Sequence, residues 1–138
     1  MVHTHKFRVT TRGQGDAFDI TNRVATGVDA AALQAGIVTI FVVGSTAAVT
    51  TIEFEPGAVQ DFNALLDRLA PRAADYQHHA RWHDDNGSSH VRAALIGPSV
   101  AIPFVDGSML LGEWQQIMLL ELDTRPRDRQ IVVQVMGE

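Results

Sequence analysis

The stretch IVTIFVVGSTAAVTTIEFE, from Ile37 to Glu55, decides how the chain is built. Its first half, Ile37 to Gly44, is β-branched and apolar at odd and even positions alike, the composition of a central strand covered on both faces. Its second half, Ala47 to Glu55, reads as another strand, and Gly44-Ser45-Thr46 between them as a bulge or tight turn. A β centre follows, and the other segments take their places around it.

Upstream, His5 to Thr11 alternates polar and apolar residues and stops at Gly13-Gln14-Gly15, the pattern of a half-buried strand near a sheet edge. Between Asp19 and Gly36 the apolar spacing is helical, with Thr21 as N-cap and Gly36 as the stop. Downstream, Pro56-Gly57 ends the strand, and VQDFNALLDRLAP puts Val59, Phe62, Leu65, Leu66 and Leu69 on one helical face before Pro71 closes it. HVRAALIG reads as one or two helical turns. SVAIPFV, SMLLGEW, IMLLELD and QIVVQVMGE read as four strands, with Asp106-Gly107 a hairpin turn between the first two. No internal repeat is present. The expected fold is α+β, mostly β, in a single domain over 1–138, with one main helix and minor helical pieces.

Composition narrows the function. A chain of 138 residues with 46% hydrophobic and 20% charged residues is that of an ordinary one-core globular domain. A net charge of −5 with scattered arginines argues against nucleic acid as partner. The absence of cysteine removes disulfides, thiolate nucleophiles and Cys-based zinc sites, so any metal must bind through His, Asp, Glu or water. The N-terminus lacks a basic start followed by an apolar block, and no apolar run nears the roughly 18 residues of a membrane span. A cytoplasmic protein without membrane contact is the expectation.

Between Tyr76 and Gly97 lie four of the six histidines. His79 and His83, four apart, would share a helical face and suit one divalent ion. His90 could close such a site across a turn, with Asp84 or Asp85 orienting the imidazoles or acting as a base. The competing reading is a solvated loop. Asn86-Gly87 reads as a turn, since both residues tolerate positive φ. Gly97-Pro98-Ser99 lacks the glycine spacing and lysine of a phosphate loop and marks a boundary between elements. Trp114 beside Gln115 reads either as core plus surface or as an aromatic wall with an amide turned into a pocket. In the first reading Trp114 is a large contributor to stability.

GSTAAVTTIE (Gly44 to Glu53), YQH (Tyr76 to His78), NGSSHVRAALIGPS (Asn86 to Ser99), LLGEWQQI (Leu110 to Ile117) and VVQVMGE (Val132 to Glu138) together resemble the YjbQ family, also called UPF0047. Its members are often labelled secondary thiamine-phosphate synthases. The resemblance runs from about Phe7 to Glu138. It implies a two-layer β-sandwich with flanking helices, assembled as a homotrimer with pockets near the subunit boundaries. Many members have His-Thr-Thr or His-Thr-Ser where this chain has Gly44-Ser45-Thr46, together with histidines matching His78 and His90. The first imidazole is therefore missing here, and His83 or His79 would have to replace it.

On this resemblance the catalytic candidates are His90, His78, Gln115 and Glu138. The ligand-binding candidates are Ser45, Thr46, Glu53, Asn86, Arg92 and Trp114, with Ser45 and Thr46 as donors to an anion. His78, His90 and His83 form the candidate set for a divalent metal ion, the cofactor considered, while His79 is expected to stay solvated. Three functions compete. The resemblance implies joining of a pyrimidine diphosphate to a thiazole phosphate, a reaction that must stabilise departing pyrophosphate. Acid/base or hydrolytic chemistry on a small phosphorylated or carboxylated metabolite needs only His90 as proton carrier. A trimeric protein that binds a metabolite without turnover is the third. Arginine beside His78 and His90 would favour a small phosphorylated molecule.

Overall fold

A computed structural model describes residues 1–138. In chain order the elements are β1 (Val2–Thr10), β2 (Ala17–Asp19), α1 (Thr21–Ala31), β3 (Ala35–Val43), β4 (Ala47–Ile52), α2 (Pro56–Leu69), α3 (Gln77–Trp82), α4 (Gly87–Ile96), β5 (Ser99–Val105), β6 (Ser108–Met109), β7 (Gln116–Glu121) and β8 (Asp128–Gly137). They form two antiparallel sheets, one of five strands in the order β1-β8-β3-β5-β6 and one of three in the order β2-β7-β4. The fold is α+β and mostly β, and β1 is an edge strand as its alternation implies.

β3 lies between β8 and β5, so its central position was legible. Only one of its faces is covered within the chain. Val38, Ile40 and Val42 are fully buried, whereas Ile37, Phe41 and Val43 on the other face stay 52%, 41% and 47% exposed. The buried side meets the small sheet through Val49, Ile117 and Leu119, in a core of 19 residues that also takes Val24 and Val28 of α1. A second core of six residues, including Leu66 of α2 and Ala93 of α4, packs those helices on the other face of the small sheet. Each fully buried aliphatic side chain contributes about 1.5–3 kcal/mol, which is why the sheet interface dominates the fold.

Several boundaries differ from the sequence reading. Gly44 to Thr46 is the crossover by which the chain leaves one sheet and enters the other, since β3 pairs with β5 and β8 while β4 pairs with β7. α1 has Thr21 inside it and ends at Ala32 in the left-handed region, φ 53°. Gly36 instead lies within β3, where a Cβ would stand 2.0 Å from the Met136 carbonyl oxygen. α2 starts at Pro56 itself, because the Glu55 carboxylate accepts from the Gly57 and Ala58 N–H groups at 2.8 and 2.9 Å. Its inward side is Val59, Phe62 and Leu66; Leu65 and Leu69 are exposed. β6 is only two residues long, and the chain then turns through Gly112 to Gln115. The expected hairpin at Asp106-Gly107 is present, with both residues at positive φ. α2, with 14 residues, is the main helix, and α1, α3 and α4 flank it with 11, 6 and 10.

Candidate functional site

The histidine-rich stretch folds as two helices, α3 and α4, with His83 to Asn86 between them. The reversal falls on His83 and Asp85, both at positive φ, and not on Asn86-Gly87. Asn86 precedes the helix with φ −108°, and Gly87 is its first residue. Gly87 answers a demand for space: a Cβ there would lie 2.4 Å from Tyr76 Cβ. Its N–H donates to His79 Nε2 at 3.1 Å, and the Tyr76 ring meets the His79 ring at 5.4 Å. His79, expected to be solvated, is the brace that seats α3 on α4. Arg92 is likewise structural. Fully buried, it donates to the Ala70 carbonyl and the Asp67 carboxylate, both at 2.9 Å, tying α4 to the end of α2.

This packing opens a cavity of about 420 Å³. Gly44, Ser45 and Thr46 of the crossover form one wall, His78 and Trp82 of α3 with His90 of α4 another, and Asp84, Asn86, Arg127 and Arg129 complete it. The His78 and His90 rings sit 4.4 Å apart at 40°. His78 Nδ1 lies 3.3 Å from an Asp84 carboxylate oxygen. Turned with its nitrogen toward Asp84, the Asn86 amide donates to that oxygen at 2.9 Å, a better contact than the 3.4 Å it makes to Asp123 in the opposite orientation. A neighbouring space of about 330 Å³ shares Gly44, Ser45 and His90 and is otherwise walled by Ala47, Ala93, Ala94 and Pro98. The cavity is thus polar with a small-residue, apolar annex.

Behind the wall runs a buried ionic network. Arg129 donates to Glu121 through Nε at 2.8 Å and Nη2 at 2.6 Å, and Nη2 reaches the Thr46 hydroxyl at 2.7 Å. Thr11 donates to Glu121 at 2.7 Å, and Thr46 to Asp123 at 3.0 Å. Arg127 clamps Asp123 from Nε and Nη2 at 2.9 and 2.6 Å. Burial alone would raise the Asp123 pKa, but Arg127, the Thr124 N–H and the Thr46 hydroxyl outweigh it and hold the carboxyl down at about 2. His90 is held below its ordinary value, first by burial and then by the adjacent His78, against the opposing pull of Asp123 and Asp84. It is therefore a neutral imidazole at neutral pH, and no protein group hydrogen-bonds its ring.

The structure brings His78, His90, Ser45, Thr46 and Asn86 to one place. It does not bring the others there. His83 is the left-handed C-cap of α3, exposed and outside the cavity wall, and no group of three His, Asp or Glu side chains converges to hold an ion. Asp85 is 89% exposed and nearest His79, at 3.8 Å. Trp114 is 66% exposed and shares a separate depression with Glu53, so it is not a core residue. Gln115 accepts from the Gly112 N–H at 3.0 Å and donates to Thr51 at 3.2 Å, which fixes the turn before β7. Glu138, just after β8, is held by backbone bonds to Gln34 and Ala35. Trp82, Arg127, Arg129 and Asp123 were missed. For Asp123, Arg127 and Arg129 the sequence signal was DTRPRDR, a charged run directly between two apolar strands; Trp82 lies in the histidine-rich stretch itself.

A family model described as UPF0047 protein YjbQ-like matches residues 5–138. A UPF0047 protein of Methanothermobacter thermautotrophicus is 36% identical over 137 residues, covering 99% of this chain and 94% of the relative. One from Archaeoglobus fulgidus is 32% identical over 121 residues, covering 88% and 91%. Among solved structures, a YbjQ-like protein of unknown function from Sulfolobus solfataricus superposes with a TM-score of 0.89 at 28% identity, over 100% of both chains. A YjbQ/UPF0047 protein from Clostridium acetobutylicum, uncharacterized, gives 0.86 at 30% identity over 96% and 99%.

Proposed function

The chain belongs to the UPF0047 YjbQ-like family, and we propose that its His78–His90 cavity holds a small phosphorylated molecule on which His90 moves a proton. The observation that carries this reading is one cavity lined both by two arginines and by two imidazoles whose ring centres lie 4.4 Å apart. Guanidinium groups match phosphate oxygens in charge and donor geometry. A neutral, half-buried imidazole is ready to accept a proton near pH 7. Asp84, against His78 Nδ1, holds that ring in place beside His90. The annex of small residues next to Ser45 leaves room for the ligand's organic part.

Joining of a pyrimidine diphosphate to a thiazole phosphate belongs to this class of chemistry. Proton transfer or hydrolysis on another phosphorylated metabolite uses the same groups with fewer requirements. Assembly as a homotrimer is part of the proposal. Ile37, Phe41, Val43, Val105 and Met136 leave an apolar face on the five-stranded sheet, and a second copy of the chain is the partner that would cover it.

The test is a melting-temperature screen of small organic phosphates, followed by phosphorus NMR of any stabilising compound with the wild type and His90→Ala. A ligand at 100 times its Kd adds about 2.7 kcal/mol to stability. The reading expects stabilisation of both proteins and conversion by the wild type alone. A screen in which neutral analogues stabilise as well as their phosphates would refute it.

A further inference from the structure

Three of the nitrogen atoms of a guanidinium carry donors, and in Arg129 only two are used. Nε is taken by Glu121, and Nη2 by Glu121 and by the hydroxyl and carbonyl of Thr46. Nη1, with two N–H groups, has no acceptor in the protein. It points at Gly44, where a Cβ would stand 2.7 Å away. The side chain is only 7% exposed, yet it reaches the cavity wall beside Gly44 and Ser45. So a buried arginine, pinned on one side by a fully buried carboxylate, presents its free side to the cavity through a gap left by a missing side chain.

Gly44 meets two separate demands. Its φ of +150° falls where side chains are rarely accommodated, and any Cβ would meet Nη1 at a distance that requires one of the two to shift. Arg129 cannot yield without giving up hydrogen bonds of 2.6 to 2.8 Å to Glu121 and Thr46. We infer that Nη1 of Arg129, uncovered at Gly44, is the seat for one phosphoryl oxygen of the ligand, and that Gly44 determines the cavity's selectivity for oxyanions. This rests on the reading of the cavity as a phosphate site and specifies its recognition element. Because Glu121 neutralises the guanidinium overall, the seat acts through fixed donors more than through net charge, and its donors are preorganised before the ligand arrives.

Inorganic phosphate is the probe. Calorimetric titration should show Gly44→Ala binding it roughly tenfold more weakly than the wild type, the loss expected for one charge-assisted hydrogen bond. In wild-type protein, nitrogen NMR of arginine side chains should show the Arg129 resonances moving with phosphate, while those of Arg92, buried against Asp67 and Ala70, stay in place. The wild-type NMR decides the matter even if Gly44→Ala does not fold. Phosphate that shifts His90 and Arg127 but leaves Arg129 unmoved would overturn this inference and spare the cavity reading. A wild type that binds no phosphate would sink both.

Discussion

Asp123→Asn tests the network that shapes the cavity, because the substitution keeps the size of the side chain while removing its charge and turning one acceptor oxygen into a donor. The Asp123 side chain is 1% exposed and sits in the grip of Arg127. Its pKa is held at about 2, against an ordinary 3.8. At about 1.4 kcal/mol per pKa unit, that difference corresponds to roughly 2–3 kcal/mol of stability. The folded pKa is the lower one, so this contribution is complete above the unfolded value and disappears as the pH falls toward 2. Asp123→Asn should therefore be less stable by about 2–3 kcal/mol at pH 7, or roughly 10 °C in melting temperature for a domain of this size. The gap should close between about pH 4 and pH 2. Chemical unfolding of both proteins at pH 7, 5, 4 and 2.5, in low salt to limit screening, measures it directly. A gap of the same size at pH 7 and pH 2.5 would mean that the charge contributes nothing and the amide merely packs badly.

Gly87→Ala should destabilise by about 1–3 kcal/mol, since the new methyl group enters space held by Tyr76, whereas an unobstructed helical glycine would gain from alanine. Thermal unfolding distinguishes the two signs. Trp114→Ala should change stability by no more than about 0.5 kcal/mol, given its 66% exposure, and a loss as large as that of a core aromatic would contradict its placement. Phe41→Glu places a charge in the middle of the bare face of the five-stranded sheet. Light scattering should then report a monomer, in place of the trimer proposed for the wild type; an unchanged mass would move the assembly surface elsewhere.

Legibility in the sequence followed how local each cause was. The β3 segment announced itself by its β-branched run and Asp106-Gly107 by a turn that only positive φ permits, because both effects act within a few residues. Leu65 and Leu69 were misplaced because helical spacing defines a stripe but not its centre, and Leu66 alone on that stripe is fully buried. Gly87 carried the usual mark of a turn, yet its purpose is clearance from Tyr76, eleven residues earlier in the chain and visible only once α3 is docked. The site was half legible. His78 and His90 came from the resemblance, and the fold sets them 4.4 Å apart. Arg127 and Arg129 were passed over: Asp123 lies only four residues from Arg127, but Thr46 comes beside Arg129 only when β8 lies against β3 and β4 crosses to the other sheet. The arginines that argued against nucleic acid by being scattered are, at this one point, gathered.

The proton-carrying role of His90 is most directly tested by following the His78 and His90 ring resonances by NMR through a pH titration, without and with an organic phosphate. Burial and the neighbouring imidazole should make His90 titrate below the ordinary histidine value of 6.5 in the free protein. A bound phosphate, by placing negative charge beside the ring, should move that midpoint upward. A His90 that titrates at or above 6.5 in the free protein, with a midpoint indifferent to phosphate, would contradict the account.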